Sequence, residues 1–158
     1  MIEHRALRPE DVAGQDGLTV IRRLIAGELP APPMARTLDF ELVEAEQGRA
    51  VFRGTPHSNF YNPLGTIHGG WAATLLDSAL GCAVHTTLAP GEGYTTVEFK
   101  VNLVRAITED TGEVICEGRV IHRGKRIAVS EATLKTAYGA LLATGSETCM
   151  MFPAPAAT

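Results

Sequence analysis

The feature that most constrains the fold is the stretch from Asn62 to Thr87, with the sequence NPLGTIHGGWAATLLDSALGCAVHTT. Asn62-Pro63 and Gly65 are turn residues, so the stretch begins as a loop. From His68 onward the residues predict a long helix that is apolar almost all the way round. Such a helix is typical of a protein core, so the rest of the chain must enclose it.

One carboxylate, Asp77, lies in the middle of this helix. Steps of three or four residues place it in a narrow seam of polar and small residues, which are Thr74, Asp77, Ser78, Gly81 and His85. Burial of a carboxylate costs several kcal/mol unless the group is paired or neutralised. A lone Asp on a helix is more often structural, bonded to a neighbour's backbone. The residues at the start of the helix favour a function instead.

The helix opens with His68-Gly69-Gly70. Backbone N–H groups there lack intrahelical partners and the helix dipole is positive, while glycine lets a ligand oxygen approach closely. A carbonyl oxygen that gains charge during acyl transfer would be stabilised at such a point. Gly69 lies eight residues before Asp77, or about 12 Å along a helix at 1.5 Å per residue. A reacting atom must lie roughly 3 Å from both groups, which one helix cannot arrange. The sequence therefore predicts two antiparallel helices, one from each chain of a dimer.

These residues resemble the hotdog-fold acyl-CoA thioesterases, especially the phenylacetate-degradation-related (PaaI-like) group. In that group an Asn, a His-Gly-Gly and a carboxylate nine residues after the His recur in this order, and Asn62, His68-Gly69-Gly70 and Asp77 match. The resemblance covers about residues 29–149. It implies a carboxylate that activates water or attacks the thioester, a Gly69 N–H that polarises the carbonyl, and a homodimer that often pairs into a tetramer.

The resemblance assigns further roles, each with a structural alternative. Asn62 would position the thioester or the water, or would only form an Asx turn. His68 is expected to cap the helix and position groups rather than transfer protons, and Gly70 is expected in the site or as a close-packing residue. Thr96 would lie near the carboxylate of its own chain, although a Thr at a strand start is ordinary. Trp71 would line an acyl pocket or belong to the core.

Coenzyme A, as part of the substrate, needs partners for its phosphates. Arg123, Lys125 and Arg126 cluster at one predicted hairpin and are the favoured candidates. No separate cofactor is expected. The histidines and cysteines lack metal-ligand spacing, so no metal is expected, and no G-x-S-x-G elbow supports a serine nucleophile.

Composition limits the classes of binding partner and the cellular location that the protein can have. The net charge of −4 gives no electrostatic footprint for nucleic acid. No apolar run approaches the ~18 residues that span a membrane, and residues 1–14 lack the apolar core of a secretion signal. Cys82, Cys116 and Cys149 are isolated within apolar elements, which is typical of reduced thiols. A cytoplasmic location is therefore expected.

The remaining pattern predicts an α+β hotdog fold, an antiparallel sheet wrapped around the long helix. Residues 1–33 would hold an N-terminal helix (16–26) after an unpatterned mobile segment, and a Pro-rich connector. Residues 34–152 would form the thioesterase domain, and 153–158 a flexible tail. The predicted strands are 37–46, 49–55, 96–104, 113–123, 126–136 and 141–150. In the third, Val97, Phe99, Val101 and Leu103 are predicted on one face, and Thr96, Glu98, Lys100 and Asn102 on the other.

Three functions are consistent with the sequence. The first is hydrolysis of a small aryl or short- to medium-chain acyl-CoA thioester, with Asp77 of one subunit facing Gly69, His68 and Asn62 of the other. The second is a hotdog-fold hydratase or dehydratase, although such enzymes place a carboxylate and a histidine close together in the chain. The third is an acyl-CoA-binding module without turnover, which would gain nothing from a buried charge.

Overall fold

A six-stranded antiparallel sheet curves around one long helix in the computed structural model, which describes residues 3–154. The helices are α1 (Pro9–Val12), α2 (Gly17–Ile25), α3 (Pro33–Thr37) and α4 (Gly69–His85). The strands are β1 (Phe40–Glu46), β2 (Arg49–Gly54), β3 (Glu92–Leu103), β4 (Val114–Arg123), β5 (Ile127–Thr136) and β6 (Leu141–Pro153). The strand order is β1-β2-β4-β5-β6-β3, so β1 and β3 are the edges. This is the predicted hotdog architecture.

Helix α4 is enclosed as its apolar sequence predicts. Leu75, Leu76 and Leu80 are fully buried, and the helix packs against β2, β4, β5 and β6. On β4, Gly118 lies beneath the helix, where a Cβ would come 2.2 Å from the Ala79 carbonyl oxygen. A glycine is therefore required at this contact between the helix backbone and the sheet.

The predicted N-terminal helix is confirmed as α2. Its N-cap is Asp16, whose side chain accepts a hydrogen bond from the Thr19 N–H at 3.0 Å. The Gly17 N–H donates to the Leu88 carbonyl, and a Cβ at Gly17 would overlap the His85 carbonyl oxygen. The start of α2 therefore lies directly against the end of α4.

Outside β3, three regions of the chain differ from the prediction. Residues 37–39 are not strand, because Pro33 opens the short helix α3 and Asp39 has a left-handed backbone (φ 51°) before β1 begins. Residues 9–12 form one helical turn, held by Asp11, which accepts hydrogen bonds from Arg5 and from the Arg8 N–H. β6 continues to Pro153, so the predicted flexible tail begins inside a strand, and its residues 155–158 lie outside the described residues. The division at 33/34 stays a prediction.

Strand β3 starts four residues early and contains a bulge that the alternation missed. Thr96 pairs with Cys149, but Glu98 pairs with Thr148, which puts the irregularity at Val97. Directly opposed residues share a face, so Thr96 lies on the inner face of the sheet with buried Cys149, although Thr96 itself is exposed in the single chain, and Glu98 lies on the outer face. The prediction that Thr96 and Glu98 share a face is therefore wrong.

Edge strand β3 also leaves large apolar side chains uncovered. Val97, Phe99 and Leu103 are 53%, 43% and 59% exposed. Phe99 and Leu103 pair with Glu147 and Ala143, both buried, so they lie on the inner face of the sheet and yet reach solvent. Within residues 3–154, no helix has the length and apolar character that crossing a membrane requires.

Candidate active site

Asp77 lies midway along α4 and is partly buried at a cavity of about 570 Å³. On one side the cavity is bounded by Ser78, Gly81 and Cys82 of α4 and by Tyr94 and Thr96 of β3. The cavity is also lined from α2, α3, β1 and β2 by the apolar residues Leu24, Ile25, Met34, Ala35, Phe40, Leu42 and Phe52, and around them by the charged residues Arg36, Asp39, Glu41, Arg53 and Glu113. The cavity thus brings the Asp77 carboxylate beside a group of apolar side chains.

The Asp77 carboxylate has no partner among the described residues: no hydrogen bond or ion pair within 3–154 reaches it. Burial alone raises its pKa above the usual range for an Asp. The structural role considered from the sequence, a hydrogen bond to a neighbouring backbone group, is therefore absent within residues 3–154. An uncompensated carboxylate facing a cavity is an available base or nucleophile.

The first turn of α4 carries the predicted cap and one unused donor. His68 is the N-cap residue, and its Nδ1 accepts a hydrogen bond from the Gly70 N–H at 2.9 Å. The Trp71 N–H donates to the His68 carbonyl. Within residues 3–154, the Gly69 N–H has no acceptor. The capping role of His68 is confirmed, and Gly69 presents its N–H at the positive end of the helix.

Two other predicted residues have structural contacts in the chain. Asn62 forms the Asx turn, since its Oδ1 accepts from the Leu64 N–H at 2.9 Å and its Nδ2 donates to the Thr66 hydroxyl. Trp71 is 3% exposed and stacks on Phe60, and its indole N–H donates to the Leu38 carbonyl at 2.8 Å. Trp71 thus packs in the core, and substrate contacts of Asn62 and Trp71 stay predictions.

The three basic residues of the β4–β5 hairpin differ in burial and in their ionic contacts. Arg123 donates to Glu92 at 2.6 Å, to the Thr87 hydroxyl at 3.1 Å and to the Gly124 carbonyl, and it is partly buried. Lys125 and Arg126 are exposed. Arg123 already has an ionic partner, whereas the two exposed side chains are accessible to a phosphate. Within residues 3–154, no group of three or more His, Cys, Asp or Glu residues could hold a metal ion.

The site contains a second carboxylate that the sequence analysis missed. Glu147 on β6 is 1% exposed, and its Oε1 accepts from the Thr96 hydroxyl at 2.7 Å and from the Cys149 thiol at 2.8 Å. The period-two pattern of β6 could have found it, because Glu147 follows buried Gly145 and precedes buried Cys149. A charged residue at an inward position of a strand indicates a special environment.

The groups around Glu147 are kept neutral by burial. Burial raises the pKa of the Cys82 thiol to about 12, and it raises the pKa of Cys149 and of the Tyr94 phenol as well. Neutral thiols are poor nucleophiles, so these cysteines are unsuited to attack a substrate. Asp77 therefore remains the group in this cluster best suited to act on a substrate.

Comparison with known proteins identifies the family. Residues 64–143, about half of the chain, match the family model of the thioesterase superfamily. The chain belongs to this superfamily. Human acyl-coenzyme A thioesterase 13 is 28% identical over 131 residues, which cover 81% of this chain and 91% of that protein.

Solved structures of the thioesterase superfamily have the same architecture. The phenylacetic acid degradation-related protein of Ralstonia eutropha is 26% identical with a TM-score of 0.74, covering 82% of this chain and 98% of that one. Escherichia coli PaaI, at 16% identity, has a TM-score of 0.75 over 89% of this chain and 96% of its own. The expected PaaI-like resemblance, the hotdog fold and the thioester hydrolase class are confirmed.

Proposed function

We propose that the protein hydrolyses an acyl-CoA thioester to a free acid and coenzyme A. The observation that carries the proposal is Asp77, whose carboxylate has no hydrogen-bond or ionic partner within residues 3–154 and lines a cavity that also has many apolar side chains. Family membership supports the reaction class, and the name of the human relative, acyl-coenzyme A thioesterase 13, supports the substrate class. We propose a cytoplasmic location and no cofactor beyond the coenzyme A of the substrate.

The chemistry divides between two groups of α4, the Asp77 carboxylate and the Gly69 N–H. Asp77 takes a proton from water as the water oxygen attacks the thioester carbon, or its own oxygen attacks and water later cleaves the anhydride. In both routes the carbonyl oxygen gains negative charge, which the free Gly69 N–H and the helix dipole stabilise. The C–S bond then breaks and coenzyme A leaves as a thiolate that takes up a proton.

A shared site follows from the separation of these groups. Gly69 and Asp77 are about 12 Å apart along one helix, too far to reach one carbonyl. We propose a homodimer in which antiparallel α4 helices bring Asp77 of one subunit to Gly69 of the other. Edge strand β3 supports this, because Phe99 and Leu103 lie on the inner face of the sheet and yet are 43% and 59% exposed in the single chain. Pairing of two dimers into a tetramer is expected from the family.

The substrate would lie across the cavity. The apolar side chains from α2, α3 and β1 suit a small aryl or a short- to medium-chain acyl group, and about 570 Å³ is within the ordinary range for ligand pockets. Lys125 and Arg126 are the accessible candidates for the coenzyme A phosphates. Arg123 would contribute only by exchanging its contact with Glu92.

The test is thiol release from a panel of acyl-CoA thioesters that includes aryl, short-chain and medium-chain members. Release identifies a hydrolase, whereas an absorbance change on an enoyl-CoA without thiol identifies a hydratase. Binding without either would identify a binding module. The matched control for substitutions of Asp77 is D110N. It removes an exposed carboxylate in the turn before β4 and should leave the rate of thiol release unchanged.

A further inference from the structure

Glu147 is a deeply buried carboxyl group that is only half satisfied by hydrogen bonds. Its Oε1 accepts two hydrogen bonds, but its Oε2 has no partner. Ser130, directly opposite on β5, is 0% exposed, and its hydroxyl also has no partner. Within residues 3–154, these are the two buried side-chain polar atoms that no protein group satisfies.

The surroundings of Glu147 disfavour a negative charge on it. The charges that act most on it are Asp77 of α4 and Glu98 of β3, both negative, and its other titratable neighbours are Tyr94, Cys82 and Cys149, all held neutral. Burial, and to a smaller extent the two negative charges, raise the pKa of Glu147, although the hydrogen bonds from Cys149 and Thr96 act in the opposite direction. Of the two carboxyls, Glu147 is the more deeply buried.

The hydrogen bonds at Oε1 decide what Thr96 can do. Oε1 accepts from the Thr96 hydroxyl at 2.7 Å and from the Cys149 thiol at 2.8 Å. Thr96 therefore donates its only hydroxyl hydrogen to Glu147. The Thr96 oxygen can then only accept further hydrogen bonds. Thr96 lines the same cavity as Asp77.

We infer that Glu147 is a positioning residue for thioester hydrolysis, because it turns Thr96 into a pure hydrogen-bond acceptor for the attacking water. This inference rests on the proposed function. A water that donates one hydrogen to Asp77 and the other to Thr96 directs a lone pair at the thioester carbon. Without Glu147, the Thr96 hydroxyl could donate to Asp77 or to the water itself, and either bond would lower the nucleophilicity of the water.

The backbone of β3 also supports the contact between Thr96 and Glu147, through the bulge at Val97. The bulge turns Thr96 inward, toward buried Glu147, while Glu98 faces outward and accepts from Thr148 at 3.2 Å. The same two strands therefore carry two Thr–Glu pairs, one at the cavity and one on the outer surface. The outer pair supplies a matched control for the inner one.

The experiment compares E147Q, E147M and T96V, with T148V as the control, on the best thioester of the panel. The Gln amide oxygen can accept from Thr96 and its NH2 group can face Ser130, so E147Q should stay within about threefold of wild type. E147M removes the acceptor and should lower kcat by ~10- to 100-fold with KM within about threefold, and T96V should do the same. T148V should match wild type.

The double variant E147M/T96V separates positioning from packing. If Glu147 acts through Thr96, the double variant should be no slower than either single variant, because the two changes remove one interaction. Thermal unfolding of each variant shows that the compared proteins are folded, and E147Q tests the inference even if E147M is unstable.

The outcomes are distinct. Wild-type kcat in E147M, multiplicative losses in the double variant, or loss of activity in E147Q would each overturn the inference while leaving the hydrolase intact. A wild-type protein that releases no thiol from any acyl-CoA would overturn the proposed function and the inference with it.

Discussion

Gly118 on β4 lies against the backbone of α4, so closely that a Cβ there would come 2.2 Å from the Ala79 carbonyl oxygen. Backbone cannot move aside as a flexible side chain can. We therefore expect G118A to lower the free energy of unfolding by about 3 kcal/mol or to prevent folding. Urea unfolding measures this, with the exposed β5 substitution E131A as a control. A loss below about 0.5 kcal/mol would show that α4 is less closely packed on β4 than described.

The charge on Asp77 should cost stability. Its pKa is raised on folding, so the folded state binds a proton more tightly than the unfolded state does. Stability from this group is therefore fully present below the unfolded pKa of about 3.9 and is lost as pH rises through the folded pKa. We expect D77N to melt at a higher temperature than wild type at pH 7, and at the same temperature near pH 3.5. A lower melting temperature for D77N at pH 7 would contradict the uncompensated burial of this carboxylate.

The same shift predicts the pH dependence of the reaction. Asp77 acts only when ionised, so kcat/KM should fall with a slope of one as pH drops through its pKa in the free enzyme. Because burial raises that pKa, the midpoint should lie above the ordinary value for an Asp of about 3.9. A pH profile of thiol release, corrected for unfolding at low pH, measures the midpoint. A rate that stays flat to pH 4 would exclude a raised pKa at the acting group.

The long helix and most strands could be predicted because they depend on local patterns. An apolar run with a His-Gly-Gly start specifies α4, and alternation specifies β4, β5 and β6. What the sequence could not supply depends on residues far apart in the chain. The Thr96–Glu147 bond joins positions 51 residues apart, and it requires a one-residue bulge that alternation alone does not indicate. The exposure of β3 likewise follows from its place at the sheet edge, which only strand order determines.

Subunit mixing tests the shared site. D77A lacks the carboxylate, and G69P lacks the N–H at the first helical position, where proline is compatible with helix geometry. Each variant alone should be inactive, but a heterodimer has one site with both intact groups. Random mixing should therefore restore about a quarter of the wild-type activity. G69A is the matched control, since it adds a Cβ near the movable Leu103 side chain and keeps the N–H. No recovery despite confirmed subunit exchange would place both groups in one chain.

The central claim is that the Asp77 charge performs the chemistry, and the most direct measurement is kcat/KM for thiol release by D77N beside wild type. D77N keeps the shape of the side chain and removes only the ability to accept a proton or to attack. The account predicts a loss of at least ~100-fold, with fold and coenzyme A binding retained. A folded D77N protein within tenfold of wild type would remove Asp77 from the mechanism.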